Sequence, residues 1–244
     1  MRPSSPNFRF QHFTVWHDRC AMKVGTDGVL LGAWCPLPLM SRVRVLDIGT
    51  GSGLIALMIA QRLEASGVDF MAEGIDIQRD AAEQAAENFR LSPWSERLIS
   101  KECALQTMRK EVPYALIVSN PPYFQDSLKN PDAARADARH TDKLTYQQLL
   151  YHTRQLLAED GLLAVILPAE AETSFLTLAA QEGLSPVRIM RVYPKPEKPV
   201  KRVMLALQHT EVVTAAPQEE MMYIESATAP RSEEYTNLTK DFYL

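Results

Sequence analysis

Cysteine is scarce in this chain. Its 244 residues include three cysteines, Cys20, Cys35 and Cys103, which are widely spaced and form no C-x-x-C pair. An odd number of scattered cysteines fits neither a disulfide framework nor a zinc site. The five histidines add no second cluster of ligands. The sequence therefore predicts a protein of the reduced cytoplasm and gives no reason to expect a metal.

Long apolar runs and repeats are also missing. The first ten residues contain no hydrophobic core of the kind found in signal peptides, and no later stretch approaches the roughly 18 apolar residues that cross a bilayer. No internal repeat or low-complexity tract is present. With 46% hydrophobic residues the chain can bury a substantial core, and we expect one globular unit without a membrane span.

Basic residues are concentrated in one segment, although the net charge of −4 does not favour nucleic-acid binding. Residues 186–203 carry six basic side chains against Glu197, a net charge of +5. The six are Arg188, Arg191, Lys195, Lys198, Lys201 and Arg202. This local excess is compatible with a nucleic-acid partner.

Short aliphatic runs alternate with helical patterns along the chain, which is typical of an α/β fold with a mostly parallel sheet. Strands are predicted at 43–48, 69–77, 97–101, 114–119, 161–167, 187–193 and 203–208. Helices are predicted at about 54–63, 79–90, 146–157 and 171–181. The last two strands should form a hairpin whose basic, proline-rich tip lies at the carboxyl edge of the sheet, where ligands of open α/β folds bind.

A glycine-rich turn, Asp47-Ile-Gly-Thr-Gly-Ser-Gly53, follows the first strand. Gly49, Gly51 and Gly53 let the backbone approach a ligand closely, and the next helix offers its N-terminus. The dinucleotide fingerprint G-x-G-x-x-G/A is not met, because its last position falls on Leu54. The turn predicts a nucleotide-like ligand, although a glycine cluster alone is also an ordinary tight turn.

Two carboxylates add to this pattern. Asp76 closes the second strand 23 residues after Gly53, the spacing at which a carboxylate accepts hydrogen bonds from ribose hydroxyls. Asp47 suits a cationic amino-acid group. S-adenosylmethionine has both a ribose and a cationic amino-acid group, and would therefore fit both carboxylates. The alternative is that each aspartate only marks the start of a helix.

The tetrapeptide Asn120-Pro121-Pro122-Tyr123 follows the fourth strand. The side-chain carbonyl of Asn120 and a main-chain carbonyl, that of Pro121, can accept both hydrogens of a planar amine and favour a pyramidal nitrogen. The prolines stiffen the segment, and Tyr123 is placed to stack on a planar substrate. The alternative is that Pro-Pro merely ends a strand and Tyr123 packs on the surface.

In this order, the three motifs resemble those of the class I S-adenosylmethionine-dependent methyltransferases. The resemblance implies a Rossmann-like sheet of seven strands, mostly parallel with one antiparallel strand, and helices on both faces. It also implies S-adenosylmethionine as the cofactor. One departure concerns the acidic residue after strand three that often contacts the cofactor adenine, since the alignment at Glu102 and Cys103 is ambiguous.

The segment Lys23-Val-Gly-Thr-Asp27 is similar to an element of the bacterial tRNA1(Val) adenine-N6 methyltransferases, and the likeness covers nearly the whole chain. These enzymes convert adenine 37, beside the anticodon, to N6-methyladenine. The resemblance implies that residues 1–40 are an extension covering the cofactor site, that 41–244 form the methyltransferase domain, and that Thr26 and Asp27 line the methionine side. From the residues alone, Thr26-Asp27 is equally a helix cap.

The expected partner is therefore tRNA, with no obligate protein partner. Arg135 and Arg139, after Tyr123, are candidates for phosphate contacts, as are Lys195, Lys198, Lys201 and Arg202, and solvated surface charge is the alternative. Other functions stay open at this point. Methylation of a guanine in ribosomal RNA, of adenine in DNA or of a protein glutamine is chemically compatible, because the tetrapeptide recognises an amine rather than the molecule that carries it. A non-catalytic RNA-binding module with this fold is a further alternative. A nicotinamide oxidoreductase is not favoured, because the glycine spacing differs from the dinucleotide fingerprint.

Overall fold

A large twisted sheet organises the computed structural model, which describes residues 6–38, 40–109, 111–121 and 144–244. The first half comprises β1 (Asn7–Arg9), β2 (Thr14–Trp16), α1 (Thr26–Trp34), β3 (Arg42–Ile48), α2 (Leu54–Ala65), β4 (Asp69–Asp76), α3 (Arg79–Arg90), β5 (Leu98–Glu102) and β6 (Tyr114–Ser119). The second comprises α4 (Tyr146–Leu156), β7 (Leu157–Pro168), α5 (Glu172–Gln181), β8 (Leu184–Tyr193), β9 (Arg202–His209), β10 (Gln218–Tyr223) and α6 (Glu233–Thr239). In these described segments, no helix is long and apolar enough to cross a membrane.

The main sheet has the strand order β10-β8-β9-β7-β6-β3-β4-β5. Its strands are parallel except β9, which runs antiparallel to both β7 and β8. The predicted α/β class, the seven predicted strands and the single antiparallel strand are confirmed. An eighth strand, β10, extends the sheet beside β8. The sequence QEEMMY of β10 has no apolar pattern that indicates a strand, because an edge strand buries few of its side chains.

Two apolar layers cover the sheet. On one face, α1, α2, α3 and α6 pack on residues such as Val45 and Phe70, and on the other α4 and α5 pack on residues such as Leu46 and Leu163. Nine of the twelve residues of α2 are buried, because α2 lies between the sheet and α1. This explains why its apolar residues are nearly continuous rather than confined to one stripe.

One predicted boundary differs clearly from the structure. β7 begins at Leu157 rather than at residue 161, so the polar residues before Gly161 belong to the strand. The pairing of β6 with β7 shifts register between Tyr114 and Leu116. A Cβ at Gly161 would lie 2.9 Å from the carbonyl oxygen of Tyr114. Gly161 therefore marks a bulge where two backbones approach closely, rather than the start of the strand.

The antiparallel strands β1 and β2 form an N-terminal hairpin, and Asn88 of α3 joins this hairpin to the glycine-rich turn. Its side chain accepts a hydrogen bond from the amide of Trp16 at 3.0 Å and donates to the carbonyl oxygens of Trp16 and Ser52, both at 2.8 Å. The side chain is 1% exposed. A single buried amide thus fixes the hairpin and the turn after β3 relative to each other.

The two ends of the described chain also meet. Gln11 donates from its side chain to the carbonyl oxygens of Lys240 and Tyr243. The rings of Phe10 and Tyr243 stack with centroids 5.9 Å apart, and Phe10 also stacks on Phe13. Residues after α6 therefore complete the aromatic cluster that the N-terminal hairpin begins.

Replacing Gly53 with alanine should lower the free energy of unfolding by about 3 kcal/mol, the sum of backbone strain and overpacking. Gly53 has a φ of +80°, and a Cβ there would lie 2.5 Å from the Phe89 ring. Gly67→Ala is the matched control, because Gly67 has a φ of +68° with nothing within 4 Å of the added Cβ. The control should lose about 1 kcal/mol from strain alone. Urea unfolding of both variants checks this, and equal losses would contradict the packing role of Gly53.

Candidate active site

A cleft of about 440 Å³ opens at the carboxyl ends of the central strands. Its described walls come from residues 22–28, the turn after β3, Asn120 after β6, the β8–β9 hairpin, and Ile224 after β10. Ligands of open α/β sheets bind at this edge, where the strand order reverses between β3 and β6. The hairpin tip lies on this edge, as predicted.

Gly49 and Gly51 form an open wall of the cleft. Their φ values are +68° and +55°, and a Cβ at either position would meet no atom within 4 Å. The amides of Gly49 and Thr50 both donate to the carbonyl oxygen of Ile75 at 2.9 Å. The turn is therefore anchored to the end of β4 while its outer surface stays free of side chains, which suits close approach of a ligand.

Gly53 does not line the described cleft. It precedes α2 in the left-handed conformation and packs against Phe89. Backbone conformation and packing are sufficient to account for the glycine at this position, and its contact with the cofactor stays a prediction.

Asp47 lies beneath the turn rather than on the cleft surface. One carboxylate oxygen, Oδ2, accepts hydrogen bonds from the Thr50 hydroxyl at 2.8 Å and the Ala56 amide at 3.3 Å. The other, Oδ1, is buried and has no partner in the described chain. Burial raises the pKa of Asp47 to about 7, against the hydrogen bonds from Thr50 and Ala56. A buried acceptor without a partner fits a ligand that brings positive charge.

Asp76 stands beside the turn at the end of β4. Its Oδ2 accepts from the Gly51 amide at 3.0 Å and its Oδ1 from the Gln78 amide at 2.9 Å. The carboxylate is thus adjacent to the glycine wall, although it is not itself part of the described lining. Across the described residues, no group of three His, Cys, Asp or Glu side chains is arranged to hold a metal ion.

The N-terminus of α1 contributes Thr26 and Asp27 to the cleft. The helix is preceded by Gly25 and has no side-chain cap, so the interpretation of Thr26-Asp27 as a cap is wrong. Val29 and Trp34 of this helix are buried. Asp27 instead pairs with Arg202, whose Nε lies 2.9 Å from Asp27 Oδ2.

This ion pair joins a residue predicted to bind the cofactor to a residue predicted to bind the nucleic acid. Asp27 was expected at the cofactor and Arg202 at the nucleic acid, and both line one cleft. About a quarter of each side chain is exposed. The pair links α1 to the β8–β9 hairpin across the cleft.

Asn120 lines the cleft directly after β6. The hydroxyl of the preceding Ser119 donates to the carbonyl oxygen of Ile48 at 2.9 Å, which fixes the end of β6 against the start of the glycine-rich turn. Pro121 is buried. Pro122, Tyr123, Arg135 and Arg139 lie outside the described residues.

The basic segment divides into two parts. Arg188 pairs with Glu220 and stacks over Trp34, and Arg191 pairs with Glu172 and Glu219. These two arginines hold β10 and α5 to β8. Lys195 and Lys198 are exposed on the hairpin tip, and Lys201 and Arg202 line the cleft.

Sequence reasoning missed several residues of the cleft. Lys23 begins the segment that carried the family resemblance and Met22 directly precedes it, so that motif could have indicated both. Val192, Pro194 and Ile224 lie at strand ends that only the sheet topology brings together. No pattern in the sequence marks these three positions.

The raised pKa of Asp47 gives a pH dependence of stability. An exposed aspartate has a pKa of about 3.9, so between that pH and about 7 the unfolded chain releases the Asp47 proton while the folded chain keeps it. The free energy of unfolding should therefore fall as pH rises, by up to about 1.4 kcal/mol per pH unit, and level off above pH 7.

Urea unfolding of the wild type and Asp47→Asn at several pH values measures this contribution. The asparagine variant retains a side-chain oxygen for Thr50 and Ala56 but cannot ionise. The stability of the wild type relative to the variant should decline between about pH 4 and 7. A constant difference across that range would show that Asp47 ionises normally.

Comparison with known proteins agrees with this geometry. Residues 34–181 match the family model of the methyltransferase small domain. A Bacteroides fragilis protein named tRNA1(Val) (adenine(37)-N6)-methyltransferase is 46% identical over 244 residues, which cover 99% of each chain. A Parabacteroides distasonis protein of the same name is 47% identical over 243 residues, again 99% of each chain.

A solved structure shares the fold. It is described as a predicted O-methyltransferase from Agrobacterium tumefaciens, and it aligns with a TM-score of 0.64 at 16% identity. The alignment covers 88% of this chain and 96% of that chain. The chain belongs to the methyltransferase small domain family and, within it, to the family of the bacterial tRNA1(Val) (adenine(37)-N6)-methyltransferases.

Proposed function

We propose that this protein transfers a methyl group from S-adenosylmethionine to N6 of an adenine in tRNA, and that adenine 37 of tRNA1(Val) is the target. The observation that carries the proposal is that Asn120 and the open glycine wall of Gly49 and Gly51 line the same cleft. An amine-recognising residue thus faces a surface suited to a nucleotide-like cofactor. The full-length similarity to proteins of this name supports the choice of carrier and position.

The chemistry required of the protein is to localise a lone pair. The N6 amine of adenine is a poor nucleophile, because its lone pair is delocalised into the ring. The Asn120 side-chain carbonyl and the Pro121 main-chain carbonyl accept the two amine hydrogens and favour a pyramidal nitrogen, an interaction that strengthens towards the transition state. Pro121 and Pro122 keep these acceptors in position, and Tyr123 stacks on the extruded base.

The residues around the cleft fit the cofactor. When bound, S-adenosylmethionine supplies a methyl group already activated on a sulfonium. Gly49 and Gly51 allow close approach, and Asp76 accepts from the ribose hydroxyls. Thr26 and Asp27, within the extension of residues 1–40 that covers the site, contact the methionine side. The partnerless oxygen of Asp47 provides negative potential beneath the turn.

No general base is assigned. The amine proton becomes acidic once the nitrogen is alkylated, so it can pass to water without a dedicated side chain. Contacts to tRNA phosphates come from Arg135, Arg139 and the basic residues of the β8–β9 hairpin, which include the exposed Lys195 and Lys198.

The experiment that tests this function incubates the purified protein with labelled S-adenosylmethionine and total tRNA from cells that lack the modification. The tRNA is then digested and its nucleosides are identified by mass spectrometry. Labelled N6-methyladenosine is the expected product. Parallel reactions with ribosomal RNA, DNA and protein are the controls, and label confined to any of these would overturn the proposal.

Replacing Asn120 with alanine should lower turnover by about 100-fold, or about 3 kcal/mol, the scale of one transition-state hydrogen-bond acceptor. Affinity for S-adenosylhomocysteine, measured by calorimetry, should change little. Asn120→Asp is the matched control, because aspartate keeps a side-chain oxygen acceptor, and it should retain more turnover than the alanine variant. Unchanged turnover in Asn120→Ala would show that Asn120 does not hold the amine.

A further inference from the structure

Two tyrosines stand side by side where β8 and β10 end. Tyr193 and Tyr223 are register partners in the parallel pairing of these strands, and their ring centroids lie 5.3 Å apart at an interplanar angle of 41°. Both side chains are partly exposed. We call them the tyrosine pair.

The tyrosine pair is rigidly placed. The chain after β10 continues to follow β8, because the Ile224 amide donates to the Tyr193 carbonyl oxygen at 2.9 Å and the Glu225 amide to that of Pro194 at 3.0 Å. Val192 and Met222 are buried in the core on the face of the sheet that α1, α2, α3 and α6 cover. By strand alternation, the tyrosines project to the opposite face.

The pair lies at the same carboxyl edge of the sheet as the proposed active site, on the opposite face from the strand-end residues that line the cleft. Val192 and Pro194, on either side of Tyr193, line the cleft, and so does Ile224, next to Tyr223. β8 is three strands from β6 in the sheet. Adjacent strands are about 4.8 Å apart, so β8, which ends at Tyr193, lies roughly 14 Å from β6, which Asn120 follows. Stacked bases are about 3.4 Å apart, and extended ones lie farther apart, so this distance spans about two to four nucleotides.

The surroundings of the pair are basic on the hairpin side. The hairpin tip begins directly after Tyr193 and ends where β9 begins at Arg202. Its three lysines, Lys195, Lys198 and Lys201, are exposed. Acidic side chains also lie near the pair in sequence. Glu219 and Glu220 precede Tyr223 and pair with Arg191 and Arg188, whereas Glu197 and Glu225 follow the two tyrosines. Aromatic rings beside a row of cations are the combination that binds single-stranded nucleic acid, because every base offers a face for stacking.

We propose that the tyrosine pair is a stacking platform for unpaired RNA bases two to four nucleotides from the methylated adenine, with the lysines of the hairpin tip contacting the intervening phosphates. The inference rests on the proposed function, since it assumes that the adenine enters the cleft at Asn120. It adds a second point of contact that recognises a single-stranded loop rather than a particular sequence. A fully paired RNA offers no free base faces and would be bound less well.

The test measures affinity for a fluorescent hairpin RNA that carries the target adenine in its loop, by anisotropy and in the presence of S-adenosylhomocysteine. The double variant Tyr193→Leu/Tyr223→Leu removes the aromatic faces, and the matched control Tyr193→Phe/Tyr223→Phe keeps them. The leucine variant should bind about tenfold or more weakly, as expected for loss of base stacking, and the phenylalanine variant within about threefold of the wild type. Affinity for S-adenosylhomocysteine should be equal in all three proteins.

A second arm uses hairpins in which single loop bases are replaced by abasic sites. With the wild-type protein, abasic sites two to four positions from the adenine should weaken binding about tenfold, and with the leucine variant the same sites should have little further effect. This arm tests the platform on the wild-type protein even where the leucine variant folds poorly. Leucine variants should leave the salt dependence of binding unchanged, whereas Lys195→Ala/Lys198→Ala should reduce it.

The outcomes separate the two proposals. If the wild type methylates and binds the hairpin, and neither the leucine variant nor any abasic site weakens binding, the tyrosine pair is not a platform and the proposed function stands. If the wild type neither binds nor methylates the hairpin, both proposals are overturned. Equal weakening by the leucine and phenylalanine variants would also overturn the platform, because the phenylalanine rings retain their faces.

Discussion

The turn between β3 and α2 is held from below by buried hydrogen bonds, and the cleft depends on this support. Ile75 accepts from two consecutive amides of the turn, Asp76 accepts from a third, and Asp47 accepts from the Thr50 hydroxyl and from the first turn of α2. With its polar groups satisfied on the inner side, the turn can present Gly49 and Gly51 outwards without side chains. One oxygen of Asp47 is left without a hydrogen-bond partner in the described chain. A buried acceptor without a partner is energetically unfavourable, and proteins often retain such groups at ligand sites.

The same turn is coupled to the chain before the sheet. Asn88 binds Ser52 and the backbone of Trp16, and the ion pair of Asp27 with Arg202 ties α1 to the β8–β9 hairpin. The walls of the cleft therefore come from distant parts of the sequence but are connected by specific polar contacts. The aromatic and basic groups at the end of β8 extend this connected surface beyond the cleft.

Much of the fold could be predicted from the sequence, because the patterns that indicate its strands and motifs lie within short stretches of neighbouring residues. The aliphatic runs of seven strands, the glycine-rich turn and the tetrapeptide at Asn120 each follow from neighbouring residues. β10 escaped prediction, because an edge strand with two glutamates buries too little to show a pattern. The structural roles of Arg188 and Arg191 could not be predicted, because their ion-pair partners are known only once the order of the strands in the sheet is known. These partners are Glu220 for Arg188, and Glu172 and Glu219 for Arg191. The packing of Gly53 could not be predicted either, because its motif does not reveal that Phe89 occupies the space beside it.

The meeting of Gln11 with Lys240 and Tyr243 has a consequence for synthesis on the ribosome. Contacts between residues about 230 positions apart in the chain cannot form until both have been made. While residues 233–243 are still within the exit tunnel, Phe10 lacks its stacking partner Tyr243, and the docking site for the N-terminal hairpin is incomplete. The strands of the central sheet can pair as they emerge, whereas the segment that carries Trp16 towards Asn88 gains this support only after residues 240–243 have emerged. Among the described parts of the chain, the N-terminal hairpin is thus one that forms early and reaches its final position late.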